Sequence, residues 1–280
     1  MELSQLRTLL AVIDHGSFEA AADELRLTQS AVSQRIRALE SSVGQVLVRR
    51  TRPAGVTDAG QVYLRLARQM TALSDQAHQE AGGAASAPRL PIAVNSDSLG
   101  SWVLPALAPL AAEIAFDLHR EDEAHSISLL RDGSVMAAIT TSGRPVQGCT
   151  VHRLGSLRYR PMTARPESFP DGPTREALSR NPVVVFDRKD DLQDAYLRAH
   201  RVDPAAPPRH HVPASADFAA AVRLGMGWGM LPDTEPDTGL TVLDQHSIDV
   251  TLYWQQWSLA TRALDRTGEA VRAAAATHLR

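Results

Sequence analysis

The chain has 280 residues, of which 44% are hydrophobic and 22% are charged, and its formal net charge is −3. This length exceeds what one small core needs, and it predicts a small domain joined to one or two larger ones. No apolar run approaches the roughly 20 residues of a membrane span. The N-terminus lacks the basic and then apolar pattern of a signal peptide. We therefore expect a cytoplasmic protein that makes no membrane contact.

The sequence contains a single cysteine, Cys149. One thiol excludes an intrachain disulfide and any metal site built from several cysteines. Because Cys149 follows Gly148 beside a predicted strand, we interpret it as a passive buried thiol rather than a nucleophile. The sequence predicts no metal site, no catalytic residue and no cofactor.

Three helices are predicted in the first 40 residues. The first covers residues 3–14, and two shorter helices around a tight turn follow between Phe18 and Arg37. Ser17 and Thr28 precede the two shorter helices as N-caps. The apolar positions of the last helix recur at helical spacing and should face inward. They are Val32, Ile36 and Leu39.

The opposite face of this third helix is polar and cationic. Its residues are Gln29, Ser30, Ser33, Gln34, Arg35 and Arg37. Glutamine and serine hydrogen-bond the edges of bases, and arginine binds guanine or phosphate. This face is therefore predicted to enter the major groove of DNA as part of a helix-turn-helix. The alternative is an ordinary helical hairpin with a polar outer face.

A short strand at 46–48 leads into the basic segment 49–53. We predict a wing here, in which Arg50 and Arg52 reach phosphates or the adjacent minor groove. A solvated loop is the alternative. Between residues 26 and 68, eight arginines stand against two carboxylates. The local field is therefore positive in a chain that is acidic overall, and such a field attracts phosphates.

Thr57 precedes a predicted helix of roughly 25 residues, or about 37 Å at 1.5 Å per residue. Apolar residues recur along it at alternating intervals of four and three. They are Ala59, Tyr63, Leu66, Met70, Leu73 and Ala77. This heptad seam predicts pairing with the same helix of a second chain, so residues 58–83 should form a homodimer, which could assemble further into a homotetramer. Packing onto the second domain is the alternative.

Residues 84–88 have the composition of a hinge, and strands alternate with helices from 89 to 280. The predicted strands cover 90–95, 115–120 and 135–140, and then 182–186, 209–212 and 227–231. This duplicated order predicts an α/β domain of two lobes around a cleft. One lobe should comprise about 89–160 and 256–280, and the other about 161–255.

Ligands in open α/β sheets collect where strands end and helices begin. The candidate residues at these ends are Ser96, Asp97, Ser98, Trp102, Glu121, Asp122, Glu123, His125, Thr140, Asp187, Asp190 and Ser215. Carboxylates at several strand ends favour a cationic ligand. An α-carboxylate could lie on the amides and hydroxyls of 96–98. Trp102 and Trp228 could form walls, although large apolar residues more often belong to the core. A solvated loop is the alternative for the three acids at 121–123.

The run SFEAAADELRLTQSAVSQRIRALESSVGQVLVRR resembles the N-terminal domain of LysR-type transcriptional regulators. Later segments resemble the branch of that family that responds to basic amino acids. These segments are NSDSLGSWVLPAL, REDEAHSISLLRDG, VVVFDRKDDLQDAYL, GWGMLP and LYWQQW. The resemblance implies a winged helix-turn-helix domain over 1–57, a linker helix over 58–83 and an effector domain over 89–280 that is similar in form to periplasmic binding proteins.

The same resemblance implies operator DNA as a partner and L-lysine, L-arginine or L-histidine as the effector. The expected function is activation of a gene for a basic amino acid exporter, with RNA polymerase as a further partner. Regulation of arginine transport or of replication initiation is the alternative. An enzyme on the α/β domain would use His125, His210 or His211 as a base and Asp97 as an acid, but no catalytic motif supports it.

Overall fold

The computed structural model describes residues 1–81, 87–121, 123–234, 239–259 and 261–280, apart from the side chains of residues 79, 123 and 124. The hinge predicted at 84–88 lies mostly outside the described residues. None of the helices in the described ranges is long and apolar enough to cross a lipid bilayer.

The N-terminal domain is a winged helix-turn-helix, as the sequence predicts. Its helices are α1 (Leu3–Asp14), α2 (Phe18–Leu25) and α3 (Gln29–Val43), and its wing strands are β1 (Val48–Arg49) and β2 (Gly55–Val56). The side chains of Ser17 and Thr28 accept hydrogen bonds from backbone N–H groups three residues on, at 3.0 Å and 3.2 Å, so both predicted caps are present.

The core of this domain explains why α3 forms where it does. Val32, Ile36 and Leu39 are at most 1% exposed and pack with Leu6 and Leu9 of α1. A helix of 15 residues is only marginally stable alone in water. Each fully buried aliphatic side chain contributes about 1.5–3 kcal/mol, so packing rather than helix propensity stabilises α3.

The long helix α4 (Asp58–Glu80) follows the wing directly. Its buried residues Leu64 and Ala67 complete the core of the DNA-binding domain. The N-terminal part of the predicted heptad seam, from Ala59 to Met70, is half-buried against that same core. Only the C-terminal part of the seam is open, with Leu73 44% exposed. The seam therefore covers its own domain over most of its length, and pairing with a second chain stays a prediction.

The effector domain contains two lobes. Lobe I is built on three parallel strands flanked by helices. Its elements are β3 (Arg89–Val94), the helical run α5, β4 (Ala115–Arg120), α6 (Glu123–Asp132) and β5 (Ala137–Thr140). The run α5 begins as an α-helix (Ser96–Ser98) and continues through a π-helical turn (Leu99–Val103), an α-helical turn (Leu104–Leu107) and a 3-10 turn (Ala108–Leu110).

Lobe II is built on the later strands. Its elements are α7 (Arg175–Arg180), β7 (Val183–Val185), α8 (Leu192–Ala199), β8 (Arg209–His211), α9 (Ser215–Arg223), β9 (Gly229–Pro232) and β10 (Thr241–Val242). Strands β7 and β8 are parallel, and a single bridge from Val183 to Trp228 connects β7 to the segment before β9.

Two long antiparallel strands, β6 (Cys149–Thr163) and β11 (Ile248–Trp257), join the lobes. The main sheet has the order β10-β6-β11-β5-β3-β4, and β9 also pairs with β6. The C-terminal helix α10 (Arg262–His278) returns to lobe I and packs on α5 and β11, as predicted. A cleft between the lobes therefore opens beside the two shared strands.

Gly60 lies where the start of α4 closely approaches the wing. A Cβ atom at this position would lie 2.1 Å from the carbonyl oxygen of Leu47 and 2.7 Å from Cγ2 of Val56. We expect Gly60→Ala to lower the free energy of unfolding by about 2 kcal/mol, because overpacking against backbone outweighs the ~1 kcal/mol gain in helix propensity. Urea denaturation followed by circular dichroism measures the change.

Gly100→Ala is the matched control for that substitution. Gly100 also lies in a helical run, but no atom lies within 4 Å of its added Cβ. The free energy of unfolding of Gly100→Ala should equal or slightly exceed that of the parent chain. Equal stabilities of the two variants would contradict the proposed close contact between α4 and the wing.

Candidate nucleic-acid interface and effector cleft

The outer face of α3 is open to solvent. Gln29, Ser30, Gln34 and Arg37 are exposed, and Ser33 and Arg35 are half-buried. The hydroxyl groups of Thr28 and Ser30 lie 3.0 Å apart at the start of the helix. The six predicted residues are therefore presented on the surface of the domain, and a helix with such donors and acceptors fits the major groove.

The wing lies beside this helix and is held by α3 and by the turn before α2. Oε1 of Glu40 accepts hydrogen bonds from the backbone N–H groups of Leu47 at 2.9 Å and Val48 at 3.2 Å. These bonds explain why β1 begins at Val48 rather than at the predicted position 46. The backbone N–H of Ala54 donates to the carbonyl of Gly16 at 2.6 Å.

Both predicted wing arginines are exposed. The guanidinium carbon of Arg50 lies 4.9 Å from the centroid of the Phe18 ring. This cation–π contact, worth about 0.5–1 kcal/mol at an exposed site, orients Arg50 relative to α2 without removing its charge. Arg52 stands at the tip of the wing. The wing thus presents two cations beside α3.

Two other arginines of the basic segment have a different position. Arg65 and Arg68 point from α4 toward lobe I, where Nη2 of Arg65 lies 3.8 Å from Sγ of Cys149 and Nη1 of Arg68 lies 3.3 Å from Oγ of Ser134. These two arginines therefore contribute to the local positive charge, but they face lobe I instead of the outer surface beside α3. They mediate a contact between domains.

The effector cleft is a cavity of about 850 Å³ lined by residues of both lobes and of both long strands. Six of the predicted effector residues line it. They are Ser96, Asp97, Glu121, Asp187, Asp190 and Ser215. The carboxyl ends of β3, β4 and β7 converge here with the N-termini of α5 and α9, because parallel strands direct their carboxyl ends to one edge.

Asp97 accepts side-chain hydrogen bonds from two other parts of the cleft. Its Oδ2 accepts a hydrogen bond from the phenol of Tyr159 at 2.6 Å, and its Oδ1 accepts one from the hydroxyl of Ser215 at 2.5 Å. Burial, and the negative charge of Asp97 next to it, raise the pKa of Tyr159 well above its usual value. Tyr159 is therefore a neutral hydrogen-bond donor, and Asp97 joins lobe I, β6 and lobe II.

Two acids of lobe II accept hydrogen bonds from nearby backbone N–H groups. Oδ1 of Asp187 accepts from the N–H groups of Lys189 at 2.7 Å and Asp190 at 3.0 Å. The carboxylate of Asp190 accepts from the N–H groups of Phe186 and Leu192, each at 3.1 Å. Burial raises the pKa of Asp190, although these two N–H donors oppose the rise. Both side chains shape the turn between β7 and α8.

Glu121 completes the acidic wall from the end of β4. Its side chain is 33% exposed, and one carboxylate oxygen lies 4.0 Å from Nε2 of His125. Asp122 and the side chain of Glu123 lie outside the described part of the chain, so their predicted roles stay predictions.

Five other predicted residues do not line the cleft. Trp102 is fully buried in the core, as is Trp228. Ser98 is fully buried, and Thr140 is 2% exposed, with its hydroxyl bonded to the backbone of Ser142. His125 lies on the exposed surface of α6. Trp102, Trp228 and Thr140 lie outside the cleft because neighbouring elements cover large apolar rings and residues of central strands. His125 lies outside it because it is on the solvent side of α6.

Other residues of the cleft were missed by sequence reasoning. Asn95 and Arg120 line it directly after β3 and at the end of β4, and Gln193 and Tyr159 line it from α8 and β6. The buried Oδ1 of Asn95 and Oε1 of Gln193 accept no hydrogen bond from the described residues. Asn95 and Arg120 stand at strand ends and could have been found there. A tyrosine within an extended segment carries no such signal.

The arrangement does not support catalysis. None of the described residues that line the cleft is a histidine. The candidate bases His125, His210 and His211 therefore do not meet Asp97. Among the described residues, no group of three or more His, Cys, Asp or Glu side chains could hold a metal ion.

Comparison with known proteins gives the family. The model of the bacterial regulatory helix-turn-helix protein, lysR family, matches residues 3–61, and the model of the LysR substrate binding domain matches residues 83–278. The HTH-type transcriptional regulator LysG of Mycobacterium tuberculosis is 44% identical over 282 residues, which cover 97% of this chain and 92% of the relative. The lysine export transcriptional regulatory protein LysG of Corynebacterium glutamicum is 41% identical over 99% of this chain and 98% of its own length.

Solved structures agree with this assignment. ArgP from Mycobacterium tuberculosis superimposes with a TM-score of 0.89 at 41% identity, covering 99% of this chain and 98% of the other. Full-length LysG from Corynebacterium glutamicum with bound effector Arg superimposes with a TM-score of 0.80 at 39% identity, covering 100% of both chains. A second structure of that LysG gives 0.61 at 38% identity, covering 100% of this chain and 99% of the other. The chain belongs to the LysR family of DNA-binding transcriptional regulators and is not an enzyme.

Proposed function

We propose that this regulator senses a basic amino acid, L-lysine or L-arginine, in the cleft between its lobes. The observation that carries the proposal is the wall of the cleft, a space of about 850 Å³ that is lined by the carboxylates of Asp97 and Glu121. Buried acceptor oxygens of Asn95 and Gln193 lie in the same wall. Ammonium and guanidinium groups are donors only, so they complement such a wall. L-Histidine fits the same chemistry less well, because its ring is neutral for much of the time near pH 7.

The charges of the lining also suit an amino acid as a whole. Arg120, Lys189 and Arg223 line the same cavity as the acids. A zwitterion with a cationic side chain carries two positive groups and one carboxylate, and it needs partners of both signs. We expect Asp97 and Glu121 to bind the positive groups, and Arg120 with the amides around Ser96 to bind the carboxylate.

The name of the Corynebacterium glutamicum relative states lysine export, and the structure of that relative contains arginine. These two relationships support an exporter gene as the target and arginine or lysine as the effector of this chain. The alternatives named from the sequence, arginine transport and replication initiation, concern the target gene and leave the binding chemistry unchanged. Activation implies a contact with RNA polymerase, which stays a prediction.

On the DNA side, we propose that α3 reads base edges while Arg50 and Arg52 bind phosphates. One helix covers few base pairs, so two copies related by a twofold axis would be required for a specific operator. Residues 58–83 are the proposed dimerisation helix, 1–57 the proposed DNA-binding domain and 89–280 the proposed effector domain. Effector binding would change the relative position of the lobes. Through α4, it would also change the distance between the two DNA-binding domains of the dimer.

The wing arginines give a salt-dependence test. Each phosphate contact contributes about −0.9 to the slope of log K against log salt concentration. We expect Arg50→Ala combined with Arg52→Ala to reduce the magnitude of this slope by about 2 for each DNA-binding domain. Fluorescence anisotropy with the intergenic DNA beside the chain's own gene, between 50 and 300 mM salt, measures it.

Arg180→Ala is the control for that experiment. Arg180 is an exposed arginine of lobe II that pairs with Glu176 at 2.8 Å. Its removal makes the net charge more negative, as the wing variant does, but at a site outside the DNA-binding domain. Its slope should equal that of the parent chain. If the wing variant kept the parental slope, the arginines would not contact phosphate.

Asp97 gives the corresponding effector test. Saturating L-arginine or L-lysine should raise the melting temperature of the parent chain, because a ligand that binds only the folded state stabilises it. For Asp97→Asn we expect a loss of at least about tenfold in affinity, which is roughly 1.4 kcal/mol, measured by isothermal titration calorimetry. The carboxamide keeps the size of the side chain but has lost the charge.

Glu176→Gln is the matched control, since it neutralises an exposed acid outside the cleft. It should bind arginine like the parent chain. An unchanged affinity in Asp97→Asn would exclude Asp97 as a partner of the ligand. No binding of any basic amino acid to the parent chain would remove the effector proposal and leave DNA binding untouched.

A further inference from the structure

The helix α4 lies on lobe I of its own chain at a seat made by two glycines. Gly133 and Gly148 have φ values of +80° and +73°. A Cβ on Gly133 would lie 3.1 Å from Cα of Arg65, and one on Gly148 would lie 2.9 Å from Nη2 of Arg65. At both positions the positive φ would strain any larger residue, and at Gly133 a side chain would also meet the backbone of α4. At Gly148 the added atom would meet only the movable end of the Arg65 side chain. Gly133 therefore permits the close approach of α4 to lobe I, and Gly148 leaves room for the Arg65 guanidinium.

Arg68, one turn further along the same face of α4, connects three parts of the molecule. Its Nη2 donates to Oδ1 of Asp14 in α1 at 2.7 Å. Its Nη1 lies 3.4 Å from the carbonyl of Asp132, the last residue of α6, and 3.3 Å from Oγ of Ser134 in the turn that follows. The side chain is 16% exposed. One guanidinium thus bonds the DNA-binding domain to lobe I.

The surroundings of this contact are open. A cavity of about 880 Å³ lies on one side, where Arg68, Gly133 and Ser134 form part of its wall. A second cavity of about 730 Å³ lies on the other side, next to Arg65 and Gly148. The contact between the domains is therefore carried by few groups, and interfaces of this kind open more easily than packed cores.

Two structures of one relative differ as whole chains. The two structures of Corynebacterium glutamicum LysG align with this chain over nearly the same length, yet they superimpose on it with TM-scores of 0.80 and 0.61. The two structures therefore differ from each other.

We propose that Arg68, together with Arg65 on its glycine seat, is a releasable latch between the DNA-binding domain and lobe I of the same chain. The docked and released forms are the two states whose balance the effector cleft changes, and Arg68 is a positioning residue rather than a ligand-binding one. The regulatory meaning of the latch rests on the proposed effector function, but the latch itself does not. A two-state element of this kind is what coupling between distant sites requires.

Cys149 provides a native readout of the latch. It is the only cysteine of the chain, it is half-buried, and Arg65 covers it at 3.8 Å. Burial raises the pKa of its thiol, and Arg65 opposes that rise. Arg68 does not contribute to this pKa shift, so its removal changes the exposure of the thiol rather than its chemistry. Reaction of the full chain with an uncharged maleimide reports release of α4.

We expect Arg68→Ala to react about tenfold faster than the parent chain, because losing a charge-assisted bond raises the population of the open form. Ser134→Ala removes only the hydroxyl acceptor in lobe I and should react about threefold faster, which keeps the test decisive should Arg68→Ala fail to fold. Arg7→Ala is the control. It removes an α1–α4 contact, to Ser74 at 3.3 Å, that does not involve lobe I, and it should react like the parent chain.

Folded Arg68→Ala and Ser134→Ala variants that react at the parental rate would overturn the latch. The regulatory part is tested by adding saturating L-arginine. We expect arginine to change the Cys149 rate in the parent chain and Arg68→Ala to diminish that change. Because coupling between two sites is reciprocal, Arg68→Ala should also shift the affinity for arginine that calorimetry measures. Arginine that binds without changing the rate would overturn the coupling. Absence of arginine binding would overturn the proposed function alone, since the rates without arginine still decide the latch.

Discussion

The antiparallel pairing of β6 with β11 is the interaction on which the effector domain depends. The ladder runs from Tyr159 opposite Ile248 to Cys149 opposite Trp257, with one register shift between Leu252 and Tyr253. One half of the ladder extends the sheet of lobe I through β5, and the other half carries β9 and β10 of lobe II. Because the same two strands belong to both lobes, relative motion of the lobes has to be absorbed by bending or twisting there, and the cleft opens directly beside them.

Asp97 shows how this geometry suits the proposed binding site. A carboxylate can accept about four hydrogen bonds, and two of its positions are already taken by Tyr159 and Ser215. These bonds hold the charge in one orientation and offset part of its desolvation cost. A ligand cation would therefore meet an acceptor that is already ordered. The same bonds connect lobe I with lobe II, so binding at Asp97 and the relative position of the lobes are physically linked.

The arginines of the N-terminal region illustrate why charge alone does not assign a role. Arg50 and Arg52 stand on a wing that is held away from the body of the chain, whereas Arg65 and Arg68 occupy the face of α4 that meets lobe I. All four lie within 20 positions of each other and contribute equally to the local sum. The helix period directs the second pair inward, and only the placement of lobe I reveals that they have protein partners rather than phosphate ones.

The sequence by itself determined the local structure and the family. Cap residues, apolar periodicity and strand–helix alternation predicted the helices of the DNA-binding domain, α4 and six strands of the effector domain, because these signals act over a few residues. The long strands β6 and β11 were not among the predicted strands. Strand ends also brought Asp97, Glu121, Asp187, Asp190 and Ser215 to one cleft. Only the tertiary structure decided which neighbours cover each side chain: it buried Trp102 and Trp228 in the core, placed Tyr159 against Asp97, and turned most of the heptad seam of α4 onto its own domain. These outcomes depend on contacts between residues far apart in the chain, such as Ser215 with Asp97, which are 118 positions apart, and no local pattern encodes such contacts.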